Sequence, residues 1–297
     1  MTMTIGIIGL GPMGGNIARL LLEKQFKVSG FDINPDCIAA LDDTGLEALA
    51  SAQEVAANAD VLITSLPNMG ALNAVIDDIS KHDRAGQIVI ECSTLEVDQK
   101  IKAHGRLAEN GKNMLDSPIS ATPAMLAKGM ASIHISGDEA AYKECLSVFE
   151  GFTASNFFVG PVGNGSRMKI LANYLVHVNT TAAAECMALG QKAGLDPEMI
   201  YEVLCKSAGT SKMFEIRGAM MAKSDYREGG GTMFAIYEKD SSIITEFAAQ
   251  MKSPIDLYVS SRQKMNSAMA LGYGHLDTSA VCKAVEMAAG IDRKLVE

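Results

Sequence analysis

The chain has 297 residues, enough for two domains of ordinary size. Its 26 Lys and Arg against 35 Asp and Glu leave a formal net charge of −9, which excludes nonspecific nucleic-acid binding through clustered positive charge. Hydrophobic residues make up 48% and charged residues 21%, which excludes long-range disorder, and with 5% aromatics, no Trp and 18 Met the core must be aliphatic and methionine-rich.

Ile5-Gly6-Ile7-Ile8 predicts a buried strand that ends at Gly9. No basic residue precedes it, and Gly9, Gly11, Gly14, Gly15 and Asn16 break the apolar stretch behind it, so it does not read as a signal peptide. A helix follows over 16–24, on the apolar positions Ile17, Leu20 and Leu21, and then a strand over 27–32. Asn34-Pro35 opens a turn into a helix over 36–42. Strands over 59–65 and 87–92 alternate with helices over 71–79 and 96–110, and short strands follow at 114–116 and 132–136. Strand and helix in alternation predict a parallel sheet wrapped by helices.

The glycine-rich turn 160–165 marks the domain boundary, dividing the chain into 1–162 and 163–297. Beyond it the pattern is helical. Residues 166–193 sustain helical spacing, long enough to bridge two domains, and Gly194 ends the run. Asp196-Pro197-Glu198 starts another helix with a cap and an early proline. Gly229-Gly230-Gly231 reads as a flexible loop and Ser253-Pro254 as a further break. The fold class is α/β: a doubly wound parallel sheet followed by an all-α C-terminal domain. No window of about 20 residues is continuously apolar, so no membrane span is expected.

Gly9-Leu10-Gly11-Pro12-Met13-Gly14 is a Gly-x-Gly-x-x-Gly between a strand and a helix. Such glycines permit a tight turn and close approach of backbone to a pyrophosphate, which the helix N-terminus attracts. An acidic residue belongs about 20 residues further on, where it accepts from the ribose hydroxyls. Asp32 stands 18 residues after Gly14, and no Arg or Lys lies at 31–36 to neutralise a 2′-phosphate, so the expected cofactor is NAD. Leu66, Pro67, Asn68 and Thr94 follow two further strands, at the carboxyl ends where an open parallel sheet takes its ligands.

These residues resemble the opening signature of the β-hydroxyacid dehydrogenases, the 3-hydroxyisobutyrate dehydrogenase-like family. Three further stretches carry the resemblance along the chain: Asp116-Ser117-Pro118-Ile119-Ser120 through Gly129 and Gly137, Gly165-Ser166-Arg167-Met168-Lys169-Ile170-Leu171-Ala172-Asn173, and Gly272-Tyr273-Gly274 with Asp277-Thr278-Ser279-Ala280-Val281. Lys239-Asp240 resembles a cofactor-side pair. The resemblance implies a Rossmann-type domain followed by a helical domain, and the helical part, 163–297, is expected to take the substrate and to form the oligomer. It implies Lys169 as catalytic acid/base, Asn173 as a substrate contact, and Leu66, Pro67, Thr94 and Lys239 as NAD contacts. The spacing agrees in part: Gly165, Lys169 and Asn173 recur every four residues, along one helix face, where the glycine would let a ligand approach the helix start. Lys169 among Met168, Ile170 and Leu171 is placed for partial desolvation, which favours the neutral amine that general-base work needs.

Where the family usually carries Ser-Gly-Gly to bind the substrate carboxylate, this chain has Ser120-Ala121-Thr122-Pro123. Side chains at 121 and 122 restrict φ, and Pro123 holds Thr122 out of the helical region, so the substrate itself is left open. Lys212 stands where many relatives carry an aromatic residue and is a candidate for a second anionic group on the substrate. The expected reaction passes a hydride between NAD and a small 3-hydroxy acid or the matching semialdehyde. L-threonate dehydrogenase and semialdehyde reductase are the alternatives within the family. A non-catalytic NAD-binding module is the alternative outside it, but such a module has no use for Lys169 and Asn173 together. Imine-reducing relatives typically replace the helix lysine, and 6-phosphogluconate dehydrogenase is a much longer chain.

The cysteines at 37, 92, 145, 186, 205 and 282 form no Cys-x-x-Cys and sit near no histidine at ligand spacing; no metal is expected, and they read as reduced, mostly buried thiols of a cytoplasmic protein. Of the five histidines, His177 lies two turns beyond Lys169 and reads as structural. Thr180, Thr181 and Ala182 to Ala184 give the long helix a small-residue face suited to close packing, from which a homo-oligomer, dimer or tetramer, is expected.

Overall fold

The computed structural model describes residues 3–82, 84–227 and 232–293, so the expected loop at Gly229-Gly230-Gly231 lies outside the described residues. Six strands form the first sheet: Thr4–Ile8 (β1), Lys27–Phe31 (β2), Glu47–Ala48 (β3), Val61–Thr64 (β4), Ile88–Glu91 (β5) and Asn113–Asp116 (β6). Every pairing is parallel, and the order is β3-β2-β1-β4-β5-β6. The order reverses between β1 and β4, where an open α/β sheet takes its ligand.

Alternation of side chains builds both faces of this sheet. Ile5 and Ile7 of β1, Val61 and Ile63 of β4, and Ile88 and Ile90 of β5 enter one core with Ile17, Ala18 and Leu21 of the helix Pro12–Glu23. The intervening Ile8, Leu62 and Val89 enter the other, with Leu72, Ile76 and Ile79 of the helix Met69–Ile79. Helix Pro12–Glu23 starts four residues before the expected 16, inside the glycine motif. Pro12 presets φ at its first position, and Gly14 and Gly15 are buried in its first turns.

A second, three-stranded sheet follows: Ile119–Ser120 (β7), Ser132–Ile135 (β8) and Ser155–Phe158 (β9), with β7 antiparallel and β9 parallel to β8. Only β8 carries a sequence pattern long enough to predict. An isolated bridge, Asp116 to Ser136, ties the end of β6 to the end of β8.

The chain divides into two compact units, Met1–Lys169 and Ile170–Glu297. One helix, Asn164–Lys192, runs through the division, and Gly194 at φ +86° ends it, with Leu195 N–H donating back to the Gly190 carbonyl (3.0 Å). The described residues of the second unit form helices and no strand. Asp196 caps the helix Pro197–Leu204 by accepting from Met199 N–H (2.9 Å). The core here is Met187, Ile200, Phe214, Met221, Phe234, Tyr237, Met265 and Cys282 with Ala183 and Ala184.

Thr180, Thr181, Ala183 and Ala184 are all buried. The small-residue face is therefore occupied within the chain itself, where Thr181 Oγ1 meets Ser261 Oγ at 2.7 Å, and is not the free face expected of it. The same helix exposes Leu171, Leu175 and Leu189 instead. All six cysteines are unpaired, but only Cys92, Cys145 and Cys282 are buried and Cys186 is exposed, which corrects the expectation that most are interior. Among the described residues no helix is long and apolar enough to cross a membrane.

Candidate active site

The glycine turn closes on itself through backbone. A Cβ on Gly9, which sits at φ +92°, would collide with the Ser65 carbonyl, and a Cβ on Gly14 with the Gly9 carbonyl. Gly11 differs: nothing lies within 4 Å of where its Cβ would be. Two glycines are thus demanded by the protein's own packing and the third leaves room in front of a helix start. Gly11 forms no side-chain cap bond, and the first turn behind it carries no acidic residue. That cradle fits a dinucleotide pyrophosphate.

Asp32, half-buried, follows β2. Its Oδ2 accepts from Leu10 N–H (2.7 Å) and its Oδ1 from Asn34 N–H (2.8 Å). The carboxylate therefore fixes the turn it is expected to serve, and each oxygen keeps a lone pair for a ribose hydroxyl. At the end of β5, Ser93 Oγ accepts from Leu66 N–H (2.8 Å), tying together the strand ends that carry Leu66 and Thr94. Asn68 caps the helix Met69–Ile79 by accepting from Ala71 N–H (3.0 Å), and with Pro67 it is exposed.

The segment in place of Ser-Gly-Gly forms a helix start. Ser120 ends β7, Ala121 packs against the first core, and Thr122, extended at ψ 161°, accepts from Met125 N–H to cap the short helix Pro123–Leu126. The proline restriction expected at Thr122 is thus put to use. Asn16 Nδ2, on the glycine-turn helix, donates to the Pro123 carbonyl (3.1 Å).

The start of the helix Asn164–Lys192 is held in a way the sequence reading missed. A Cβ on Gly165 would lie 2.5 Å from the Asp116 carbonyl oxygen and 2.6 Å from that of His134. This glycine seats the helix against β6 and β8 and does not admit a ligand, which corrects the expectation. Asp116, fully buried, accepts from Lys100 Nζ (2.8 Å), from Ser166 Oγ (2.8 Å) and from Ser166 N–H (2.9 Å). Lys100, also fully buried, pairs with Glu91 as well. Burial alone would raise the Asp116 carboxyl, but the Lys100 ammonium and the Ser166 donors outweigh it and hold it below the usual carboxylate range. Burial opposes the Lys100 charge, and the two carboxylates carry that ammonium above its ordinary value. A signal was present: Lys100 lies on the stripe Val97, Lys100, Ala103, Leu107, an apolar spacing that a lysine occupies only with a partner.

Lys169 is 9% exposed, one turn beyond Gly165. Burial, and secondly the Lys169 charge, lower the pKa of His134 on β8, so this histidine beside the lysine is neutral near pH 7. Asn173 is buried one turn further along the helix, and its Nδ2 donates to Asp240 Oδ2 (2.8 Å), which fixes the amide's orientation. His177, the next turn on, is buried with Nδ1 2.7 Å from Tyr258 Oη and its ring 4.3 Å from that of Tyr237. Burial pushes the Tyr237 hydroxyl up to about 12.

Lys239 is exposed on the helix Phe234–Gln250, next to Asp240. Lys212 is exposed and pairs with Glu215 at 2.8 Å. The C-terminal segment builds the second unit: Asp277 accepts from Ser279 N–H and Thr232 N–H (both 2.8 Å) and faces buried Arg217 at 3.7 Å. Among the described residues no group of three or more His, Cys, Asp or Glu is placed to hold a metal ion.

Residues 4–160 match the family described as the NAD binding domain of 6-phosphogluconate dehydrogenase. Residues 163–285 match the one described as NAD-binding of NADP-dependent 3-hydroxyisobutyrate dehydrogenase. The L-threonate dehydrogenase of Cupriavidus necator is 34% identical over 287 residues, covering 95% of this chain and 96% of that one. The chain belongs to the β-hydroxyacid dehydrogenase family. The NAD-dependent L-serine dehydrogenase of Pseudomonas aeruginosa is 30% identical over 296 residues, covering 96% of this chain and 99% of that one. The solved 3-hydroxyisobutyrate dehydrogenase of Salmonella typhimurium superposes with a TM-score of 0.82 at 32% identity, over 95% of this chain and 99% of that one. As a β-hydroxyacid dehydrogenase, the protein is an NAD-dependent oxidoreductase acting on the CH–OH group of a small hydroxy acid.

Proposed function

We propose that the protein oxidises the β-hydroxyl of a short carboxylate with NAD, or reduces the matching semialdehyde, with Lys169 exchanging the hydroxyl proton. The observation that carries this reading is the buried pair Lys169 and Asn173, one turn apart on one helix, with Asn173 oriented by Asp240. The three relatives are named for threonate, serine and hydroxyisobutyrate, each a short carboxylate with a hydroxyl at the β-carbon. Which of these, or which other, this chain takes follows from Ser120, Ala121 and Thr122, which we assign to the substrate carboxylate. Lys212 is assigned to a second anionic group.

NAD, when bound, supplies the two-electron chemistry, and Gly9 to Gly14, Asp32, Leu66, Pro67, Asn68, Thr94 and Lys239 would hold it. Lys169 takes the proton of the substrate hydroxyl in the oxidation direction and returns it in the reduction direction. Asn173 hydrogen-bonds that hydroxyl with the amide valences that Asp240 leaves open. Asp32 selects NAD over NADP, because a 2′-phosphate beside its carboxylate meets like charge and no basic residue at 31–36.

We further assign residues 1–162 to cofactor binding and 163–297 to substrate binding and a homo-oligomer, dimer or tetramer, in the cytoplasm. The exposed Leu171, Leu175 and Leu189 support the oligomer, and six unpaired thiols support the compartment. The deciding experiment is a panel of 3-hydroxy acids and semialdehydes assayed with NAD and with NADP. Turnover of a β-hydroxy acid with NAD is expected; reaction with none of the panel would defeat the assignment.

A further inference from the structure

Glu91, Lys100 and Asp116, all fully buried, set two acidic side chains against one lysine. A buried charge needs an answer close by. The answer here is the first turn of the helix that carries Lys169. Ser166 gives Asp116 both its N–H and its hydroxyl, and Ser136 Oγ, 3.3 Å from Asp116 Oδ2, accepts from Gly165 N–H (2.9 Å). Asp116 thus acts as an N-terminal cap supplied from 50 residues away in the chain. The Asp116 backbone is fixed in turn by its paired bonds with Ser136 (2.9 Å each way).

The seat is also tight. Gly165 has the Asp116 and His134 carbonyls where a side chain would be, so the helix cannot slide along or away from the sheet end without breaking these bonds. Lys169 stands four residues after Gly165, on the same helix face. The registration of this turn on β6 therefore decides where the Lys169 side chain begins.

We propose that Asp116 is a positioning residue for Lys169, acting through Ser166, with the buried Glu91–Lys100 pair holding the Asp116 carboxyl in place. This rests on the reading of Lys169 as the acid/base. A misplacement of about 1 Å at a reacting group can cost on the order of 10²-fold in rate, so the effect belongs in kcat and not in NAD affinity.

The test is a double-mutant cycle on the full-length protein, using Ser166→Ala and Lys169→Ala, with Asp116→Asn as the stronger variant. Ser166→Ala removes one charge-assisted hydrogen bond and leaves the N–H in place. It should lower kcat roughly tenfold with KM for NAD unchanged. In the Lys169→Ala background the same change should cost less than about twofold, because its effect runs through the lysine. Equal losses in both backgrounds would make Asp116 merely structural, and no loss in the first would overturn the proposal outright. If Lys169→Ala itself keeps wild-type kcat, the acid/base reading fails instead. Amide hydrogen exchange then judges the positioning claim: Ser166→Ala must speed exchange at residues 166–170 by about tenfold while β5 stays protected, and unchanged exchange sinks it. Asp116→Asn should reproduce each effect more strongly; if it folds and leaves kcat intact, the proposal falls.

Discussion

Two helices in this protein have a glycine at their start facing strand ends, and the surroundings of the two are opposite. At Gly11 the space is open, and no side chain caps the turn behind it. At Gly165 the space is filled by two carbonyl oxygens, and a buried carboxylate already occupies the positive end of the helix. The same residue type, near a helix start in both cases, leaves an open cradle in one and seats the fold in the other. Neither glycine needs a positive φ, and what decides its use is what faces the missing side chain.

The largest effect expected lies on the second helix. Lys169→Ala should lower kcat by about 10²–10⁴-fold, the usual worth of a positioned proton-transfer group. NAD affinity should hardly change, since the glycine turn and Asp32 belong to the other start. Lys169→Arg should fail as well, because a guanidinium does not release a proton near neutral pH. A steady-state and NAD-titration comparison decides it: more than about half of wild-type kcat in Lys169→Ala would remove the lysine from the chemistry.

The glycines themselves give the next contrast. Gly165→Ala puts a methyl 2.5 Å from the Asp116 carbonyl and should destabilise the protein by about 1–3 kcal/mol in denaturant unfolding, lowering kcat with it. Gly11→Ala meets nothing, and at φ −60° and ψ −168° its backbone suits alanine, so stability should be unchanged while NAD affinity falls about tenfold. Calorimetry of NAD binding and unfolding of both variants would break the comparison if the two losses were exchanged. Smaller still is the cofactor preference: kcat/KM for NAD should exceed that for NADP by at least about tenfold, or ~1.4 kcal/mol, and Asp32→Ser should narrow the gap. Equal turnover of the two cofactors by the wild type would take that role from Asp32.

The first start was legible in the sequence and the second only partly, for a physical reason. Strand, glycine turn, helix and Asp32 lie within one short stretch, and their spacing alone gives the chemistry. The strands β1, β2, β4, β5 and β6 and their parallel pairing followed from alternation; their order across the sheet did not. Gly165, Lys169 and Asn173 showed one helix face, but what Gly165 faces comes from β6 and β8, and Asp116 reaches Ser166 from 50 residues away. No local pattern carries such a partner. The clues that existed were single misfits: Lys100 on an apolar stripe, Glu91 closing the run Ile88-Val89-Ile90. Strands β3 and β7, of two residues each, are too short for any period, and β9, Ser-Asn-Phe-Phe, alternates nothing.

The smallest effect concerns His134, whose backbone carbonyl seats Gly165 and whose ring lies near Lys169. Burial and the lysine's charge both lower its folded pKa, while the unfolded value is about 6.5. The unfolded chain therefore binds the proton more readily. The stability this histidine contributes is fully present above about pH 6.5 and is lost as the pH falls from there toward the folded value. Wild-type protein should accordingly unfold more easily in urea at pH 5.5 than at pH 7.5 (values chosen to bracket ~6.5), and His134→Gln should make that difference smaller. Asp116 adds nothing in this window: its lowered carboxyl contributes stability that is lost only as the pH falls below about 4. Activity gives a second readout, because His134→Gln removes a group that, once protonated, would repel the Lys169 ammonium. An unaltered urea midpoint difference between the two pH values in His134→Gln would show that the ring is not felt by folding, and would leave its backbone carbonyl as its whole part in seating the helix.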